Sequence, residues 1–355
     1  MTCSAVSMRK MNANPARLAA SSPTAPSLRG VDDLLQDFRR LGDATYDQRR
    51  CAEIRDLVAE IQQLKQRENA VVLAHNYQRP EIFEVADFVG DSLELARKAA
   101  GVSADTIVFC GVHFMAETAK ILNPTKTVLL PNLAAGCSLA DSITGEALAA
   151  RRDELREVYP DLAVVTYVNT TADVKAESDV CCTSSNAVRI VEALPNENIL
   201  FTPDENLAAY VQSQTKKNVV AWNGNCYVHH QIRPEQIERV RAAMPHVKVI
   251  AHPECRRDVL ALADAVLSTS GMIDYARKSD AKEFLVVTEC GLSDRLLIEL
   301  PEKKFYKACK LCQYMKMITL EETAAALRHR RYPIDIEERI RVRAEHSIRR
   351  MLEIG

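Results

Sequence analysis

The chain carries almost no net charge: 46 lysines and arginines against 48 aspartates and glutamates leave −2 over 355 residues. It has no global field to draw nucleic acid or an anionic membrane, so a small polar substrate is the expected partner. Long hydrophobic runs are missing too. Stretches such as Val71–Ala74 and Thr127–Leu130 fall far short of the roughly 20 apolar residues that a membrane span needs. The N-terminus lacks the continuous apolar core of a secretory signal. The expectation is a cytoplasmic protein with neither membrane nor nucleic acid as partner. No Gly-x-Gly-x-x-Gly turn and no P-loop occurs, which removes the sequence marks of nicotinamide and nucleoside triphosphate binding.

Cysteine, by contrast, is abundant, at 11 residues. Without a secretory signal, an odd count points to buried structural thiols, to metal ligation, or to both, and makes disulfides improbable. A composition of 47% hydrophobic and 26% charged residues fits a globular chain of about two or three domains.

Residues 1–30 hold Arg9, Lys10, Arg17 and Arg29 but no acid, and are rich in Ser, Ala, Pro and Asn; they read as a disordered arm. The same composition suits an organellar transit peptide, but Pro15, Pro23 and Pro26 break the amphipathic helix that such a peptide needs. Over residues 31–68, Leu34, Leu35, Phe38 and Leu41, then Ile54, Leu57, Val58, Ile61 and Leu64, recur at helical spacing and predict two helices.

From there short β-branched runs alternate with helical stretches, the pattern of βαβ units and parallel sheets. The pattern repeats over residues 69–145, 146–232 and 233–318. The opening strands are 71–75, 163–167 and 247–252. The second strands run into Gly90-Asp91-Ser92, Cys182-Thr183-Ser184-Ser185 and Leu267-Ser268-Thr269-Ser270. The third strands are 106–110, 199–202 and 284–288, and a fourth run lies near 128–130, 219–222 and 304–306. Residues 319–355 read as helical, with Ile334, Ile336, Ile340, Val342, Ile348 and Leu352 available to clamp one unit to another. The fold class is thus α/β, with three pseudo-symmetric αβα units around a common centre.

Just beyond each fourth run sits a cysteine. Cys137, Cys226 and Cys312 stand 89 and 86 residues apart, equivalent places in three copies of one unit. Ligands of open α/β units gather outside the carboxyl ends of the strands, so three copies about one axis would aim these thiols at one point. Zinc completed by His229 or His230 and a [4Fe–4S] cluster with one open iron both fit such a set. Accidental spacing among buried thiols is the plain alternative, and for Cys110, Cys181, Cys255 and Cys290, which lie in or beside strands, that core reading is preferred. Cys309 and Cys312 form a Cys-x-x-Cys pair without a second pair to complete a zinc motif.

His75 and His252 end corresponding strands, the latter followed by Glu254, and together they suggest a polar cleft. The Ser and Thr clusters suit helix caps, and also suit phosphate or carboxylate binding at helix starts.

Taken in order, Ala74-His75-Asn76-Tyr77-Gln78, Gly90-Asp91-Ser92-Leu93, Phe114 to Lys120, Cys137-Ser138-Leu139-Ala140, Tyr167-Val168-Asn169, Cys182 to Asn186, Asn225-Cys226-Tyr227-Val228-His229, His252-Pro253-Glu254-Cys255 and Ser268 to Ile273 resemble quinolinate synthases, the A protein of bacterial NAD biosynthesis. The resemblance runs from about Val71 to the C-terminus. It implies three αβα domains around a [4Fe–4S] cluster held by Cys137, Cys226 and Cys312, with the fourth iron open as a Lewis acid. It further implies condensation of iminoaspartate with dihydroxyacetone phosphate to quinolinate, with loss of phosphate and two waters. Residues matching His75, Tyr77, Ser92, Tyr167, Asn169, Ser184, His252, Glu254, Ser268 and Thr269 would line the pocket. Tyr77, Glu254 and His252, with His75, would take the catalytic roles. The resemblance leaves room for a homodimer, and for a functional link to L-aspartate oxidase or aspartate dehydrogenase.

Two departures stand out. Some members carry Cys-x-x-Cys-x-x-Cys near the third ligand, where this chain has Tyr306, Cys309 and Cys312. A regulatory disulfide between Cys309 and Cys312 would remove a ligand. Plant members carry a preceding sulfur-transfer domain, for which the N-terminal arm is too short, so the bacterial cytoplasmic type is expected.

Overall fold

A computed structural model describes residues 28–355. The expected arm, residues 1–30, lies almost wholly outside the described residues. Two helices, Val31–Arg39 and Gln48–Arg67, lead the described chain. The second starts where the Asp47 carboxylate accepts the Arg50 N–H, a helix N-cap. Its apolar stripe of Cys51, Ile54, Val58, Ile61 and Leu64 is buried, against the helix Leu320–His329 among others.

Twelve strands follow in three groups: β1 (Ala70–His75), β2 (Phe88–Gly90), β3 (Thr106–Cys110) and β4 (Thr127–Leu129); β5 (Ala163–Tyr167), β6 (Val180–Cys182), β7 (Asn198–Thr202) and β8 (Asn218–Ala221); β9 (Lys248–Ala251), β10 (Ala265–Val266), β11 (Glu283–Val287) and β12 (Lys304–Lys307). Each group forms one parallel sheet, in the order β2-β1-β3-β4, β6-β5-β7-β8 and β10-β9-β11-β12. The first and third strands of each sheet are buried nearly throughout. Hence they read as continuous β-branched runs rather than as alternating patterns.

One aspartate recurs in every unit. Asp87, Asp179 and Asp264 precede the second strands, and each accepts the N–H of Val72, Val164 or Val249 at 2.7 to 2.8 Å. Each also donates its own N–H to that valine's carbonyl. This reciprocal pair sets the register between the first two strands three times over.

The expected helical tail is two helices, Leu320–His329 and Glu338–Ile354. Arg330 (φ 49) and Tyr332 (φ 59) lie in the left-handed region and Pro333 follows, which ends the first helix. The intervening segment runs along β4, with Leu130 N–H donating to the Tyr332 carbonyl and Ile334 N–H to the Val128 carbonyl. The last helix packs on the helix Ala172–Ala176 and β6 of the second unit, and on the helix His113–Leu122 of the first. It clamps those two units together. No described helix is long and apolar enough to cross a membrane.

Candidate active site

In all three sheets the strand order reverses between the first and third strands, and the crevice outside their carboxyl ends is where such sheets take ligands. Here the three crevices merge into one cavity with about 660 Å³ of space free of protein atoms. The first strands deliver matching side chains two residues apart: His75 and Tyr77, Tyr167 and Asn169, His252 and Glu254, and all six line it. Ser92, Ser184 and Thr269 line it from the loops and helix starts after the second strands, and Cys137, Cys226 and Cys312 from the loops after the fourth.

Ser268 is not brought to the wall. Its hydroxyl accepts the Gly271 N–H at 3.3 Å and donates to Asp91 Oδ2 at 3.1 Å, so it caps the helix Thr269–Lys278. Thr269, one position on, turns inward and accepts Asn76 Nδ2 at 2.8 Å. Consecutive hydroxyls at a helix start point in different directions, so a Ser-Thr-Ser run cannot aim every member at one cavity.

Glu254 is the electrostatic centre. Its Oε2 lies 2.8 Å from His229 Nδ1 and 3.2 Å from His252 Nδ1, all three buried. Burial works to raise this carboxyl, but the charge and hydrogen bonds of His229 and His252 outweigh it and hold the group well below the usual carboxylate range. Glu254 is thus a carboxylate that orients two imidazoles through their Nδ1 atoms and leaves both Nε2 atoms for other work. His252 Nε2 meets Ser184 Oγ at 3.2 Å, and His229 Nε2 meets Thr288 Oγ1 at 2.9 Å. The two rings stack at 4.7 Å.

Thr288 also bonds Tyr77 Oη at 2.6 Å. Burial and the Glu254 charge raise the Tyr77 phenol well above its ordinary value, so it stays a proton donor. Burial and the neighbouring His252 lower His75 to about 3, which keeps that imidazole neutral. Asn169 brings Nδ2 to 3.4 Å from Glu254 Oε1, while its Oδ1 is buried without a partner. A buried, unpaired acceptor at a cavity wall calls for a donor on a ligand. Among the described residues no lysine or arginine lines the cavity, so an anion here would rest on hydroxyls, helix starts and imidazoles.

His229 and Thr288 carry this network; the sequence offers His229 only as a possible fourth zinc ligand, not as a partner of Glu254, and does not single out Thr288. His229 follows Cys226 by three positions, one helical turn, the spacing that suggests a metal ligand, whereas its pairing with Glu254 has no signal in sequence. Thr288 ends β11 and offers no signal in sequence.

Burial pushes the Cys137 thiol up to about 12 and Cys226 and Cys312 upward as well, the cost of placing thiolate charge in a wall without cations. A cationic metal group would remove that cost. Among the described residues, the donor atoms that converge within 4.8 Å as for one ion are those of Cys226, His229 and Glu254. The His229 contact to Glu254 accounts for much of that closeness without an ion. The three cysteines are not gathered within that span, so they suit a group that presents a separate iron to each thiolate.

Three expectations about thiols do not hold. Cys309 pairs with Cys290, not with Cys312, in a disulfide with Cα atoms 5.2 Å apart, so Cys290 is no core thiol and disulfides are not absent. The cause is a parallel bridge between Glu289 and Lys310, which lays Cys309 beside the start of the helix Cys290–Glu299 while Cys312 turns to the cavity. Cys110, Cys181 and Cys255 are buried and free, as expected of core thiols.

The sequence family described as NadA, quinolinate synthetase A protein, matches residues 59–353. This chain belongs to that family. The chain is 52% identical over 300 residues to the quinolinate synthase of Thermodesulfovibrio yellowstonii, covering 84% of this chain and 98% of that one. It is 51% identical over 302 residues to that of Desulforudis audaxviator, with the same coverage. Quinolinate synthase 1 of Methanosarcina acetivorans is 49% identical over 301 residues, covering 84% and 98%.

Proposed function

We propose that the chain is a quinolinate synthase of NAD biosynthesis working in the cytoplasm, which condenses iminoaspartate with dihydroxyacetone phosphate and releases phosphate and two waters. The observation that carries this reading is the convergence of three equivalent cysteine loops on the cavity that also holds the His75, Tyr77, His252 and Glu254 set. Family membership and three relatives of that name support it.

Cys137, Cys226 and Cys312 would hold a [4Fe–4S] cluster, whose open iron supplies Lewis acidity toward a substrate carboxylate or hydroxyl. The chain's own residues do the rest. Ser92, Ser184 and Thr269 bind the anionic groups, and Asn169 Oδ1 accepts from a substrate N–H or O–H. Tyr77 donates a proton at Oη, and His252 exchanges one at Nε2, next to Ser184. Glu254, held as a carboxylate, fixes the His252 tautomer rather than donating a proton.

Incubating the oxygen-free protein with iminoaspartate and dihydroxyacetone phosphate tests the reading. It predicts quinolinate and phosphate in equal amounts; a different product from these substrates, or none from iron-loaded protein, overturns it.

A further inference from the structure

The three cavity cysteines are held by one backbone device, used three times. Two residues before each cysteine, a carbonyl accepts the first N–H of the helix that follows the third strand: Ala135 from His113 at 2.8 Å, Gly224 from Glu205 at 2.7 Å, and Lys310 from Cys290 at 3.3 Å. The residue just before that helical N–H is Val112, Asp204 and Glu289 in the three units.

The two acids do the same work: each accepts one N–H of its helix's first turn and the N–H of its cysteine. In Asp204 one oxygen accepts the helix N–H of Leu207 at 2.7 Å and the other accepts the Cys226 N–H at 3.0 Å. In Glu289 one oxygen accepts the helix N–H of Gly291 at 2.6 Å and the other the Cys312 N–H at 3.0 Å. Both carboxyls are buried, at 0% and 1% exposure. Burial pushes them up, and the N–H bonds, with Lys316 at Glu289, work against it. Close packing secures the geometry. A Cβ on Gly291 would meet Lys316 Nζ, the Tyr77 carbonyl and Glu289 Oε2 at 2.5 to 2.8 Å, and one on Gly224 would meet the Pro203 carbonyl at 2.6 Å. Val112 offers no acceptor, so the first unit lacks this second tie.

We infer that Asp204 and Glu289 are positioning residues for the metal-binding cysteines: each locks the backbone of its ligand, Cys226 or Cys312, to a helix start and so slows release of the iron group. This rests on the proposed cluster. A capping residue alone would steady only its helix; these reach the ligand as well. An amide in either place has one oxygen for two N–H groups, and its NH2 faces the N–H that lost its acceptor. Outer contacts of this kind are worth roughly 10- to 100-fold in metal retention.

The test compares Asp204→Asn, Glu289→Gln and Thr144→Ala with the unaltered holoprotein, measuring iron and sulfide content and the rate of iron transfer to a ferrous chelator, with thermal unfolding in parallel. Thr144 caps the helix Gly145–Val158 by accepting the Ala147 N–H and touches no cysteine, so it reports a lost cap alone. The expected result is iron release at least tenfold faster in both acid variants, with Thr144→Ala unchanged in release though lowered in Tm. Release rates equal to those of Thr144→Ala overturn the inference, and either acid variant alone decides if the other does not fold. Absence of iron from the unaltered protein overturns the cluster reading and this inference with it, an outcome distinct from equal rates.

Discussion

The first unit and the other two solve one mechanical problem by different means. In the first, the fourth strand is covered: the segment before the last helix pairs along β4, two of whose three residues are buried, and the Cys137 loop follows from a supported edge. In the second and third, β8 and β12 are each exposed at both end residues, and the cysteine loops are tied from within by Asp204 and Glu289. The third unit adds the Cys290–Cys309 disulfide. The difference teaches that a repeated backbone carries the placement of a site, while the reinforcement of each copy follows what covers it.

The harshest challenge to this comparison is to remove the cysteines. Cys137→Ala, Cys226→Ala and Cys312→Ala are each expected to lose the bound iron and all turnover, whereas Cys255→Ala, a core thiol, keeps both; metal analysis beside a quinolinate assay decides. Full iron in any of the three would break the equivalence of the units. Next in size is Glu254→Gln, which frees two imidazoles from their common acceptor. Turnover should fall roughly 10²- to 10⁴-fold with iron content unchanged, and normal turnover would show that neither histidine needs its orienting partner.

The disulfide distinguishes the third unit. Cys309→Ala should lower unfolding stability by about 2 to 3 kcal/mol in denaturant titrations without loss of iron; iron lost in parallel would make the disulfide part of the ligand loop's hold. The smallest effect concerns His75 and pH. Its imidazole is lowered to about 3 in the fold against about 6.5 in an unfolded chain. Between those values the unfolded chain binds more protons, so this group's contribution is intact above pH 6.5 and erodes as pH falls, by about 1 kcal/mol per unit. His75→Asn should flatten that slope in unfolding curves between pH 7 and 5, and an unchanged slope would assign it to other groups.

The strands were legible because buried parallel strands are compact β-branched runs, and the observed bounds differ from the expected ones by a residue or so in most cases. The three cysteines were legible because repetition turned spacing into position. Pairings between units were not. Nothing in Thr288 marks it until the sheets are set side by side, and within the units the ties of Asp204 and Glu289 and the Asp87, Asp179 and Asp264 repeat are hidden because a lone acid beside a strand looks like any turn residue. Cys290 and Cys309 were misread because 19 residues of sequence separation say nothing about a parallel bridge that brings them together. Ser268 was grouped with its neighbours because a run of hydroxyls does not reveal which of them turns back to cap the helix.

The most direct test of the account is the iron and acid-labile sulfide content of the chain purified without oxygen. Three cysteine loops serving one cluster predict about four irons and four sulfides per chain. One zinc per chain, bound through Cys226, His229 and Glu254, would contradict it.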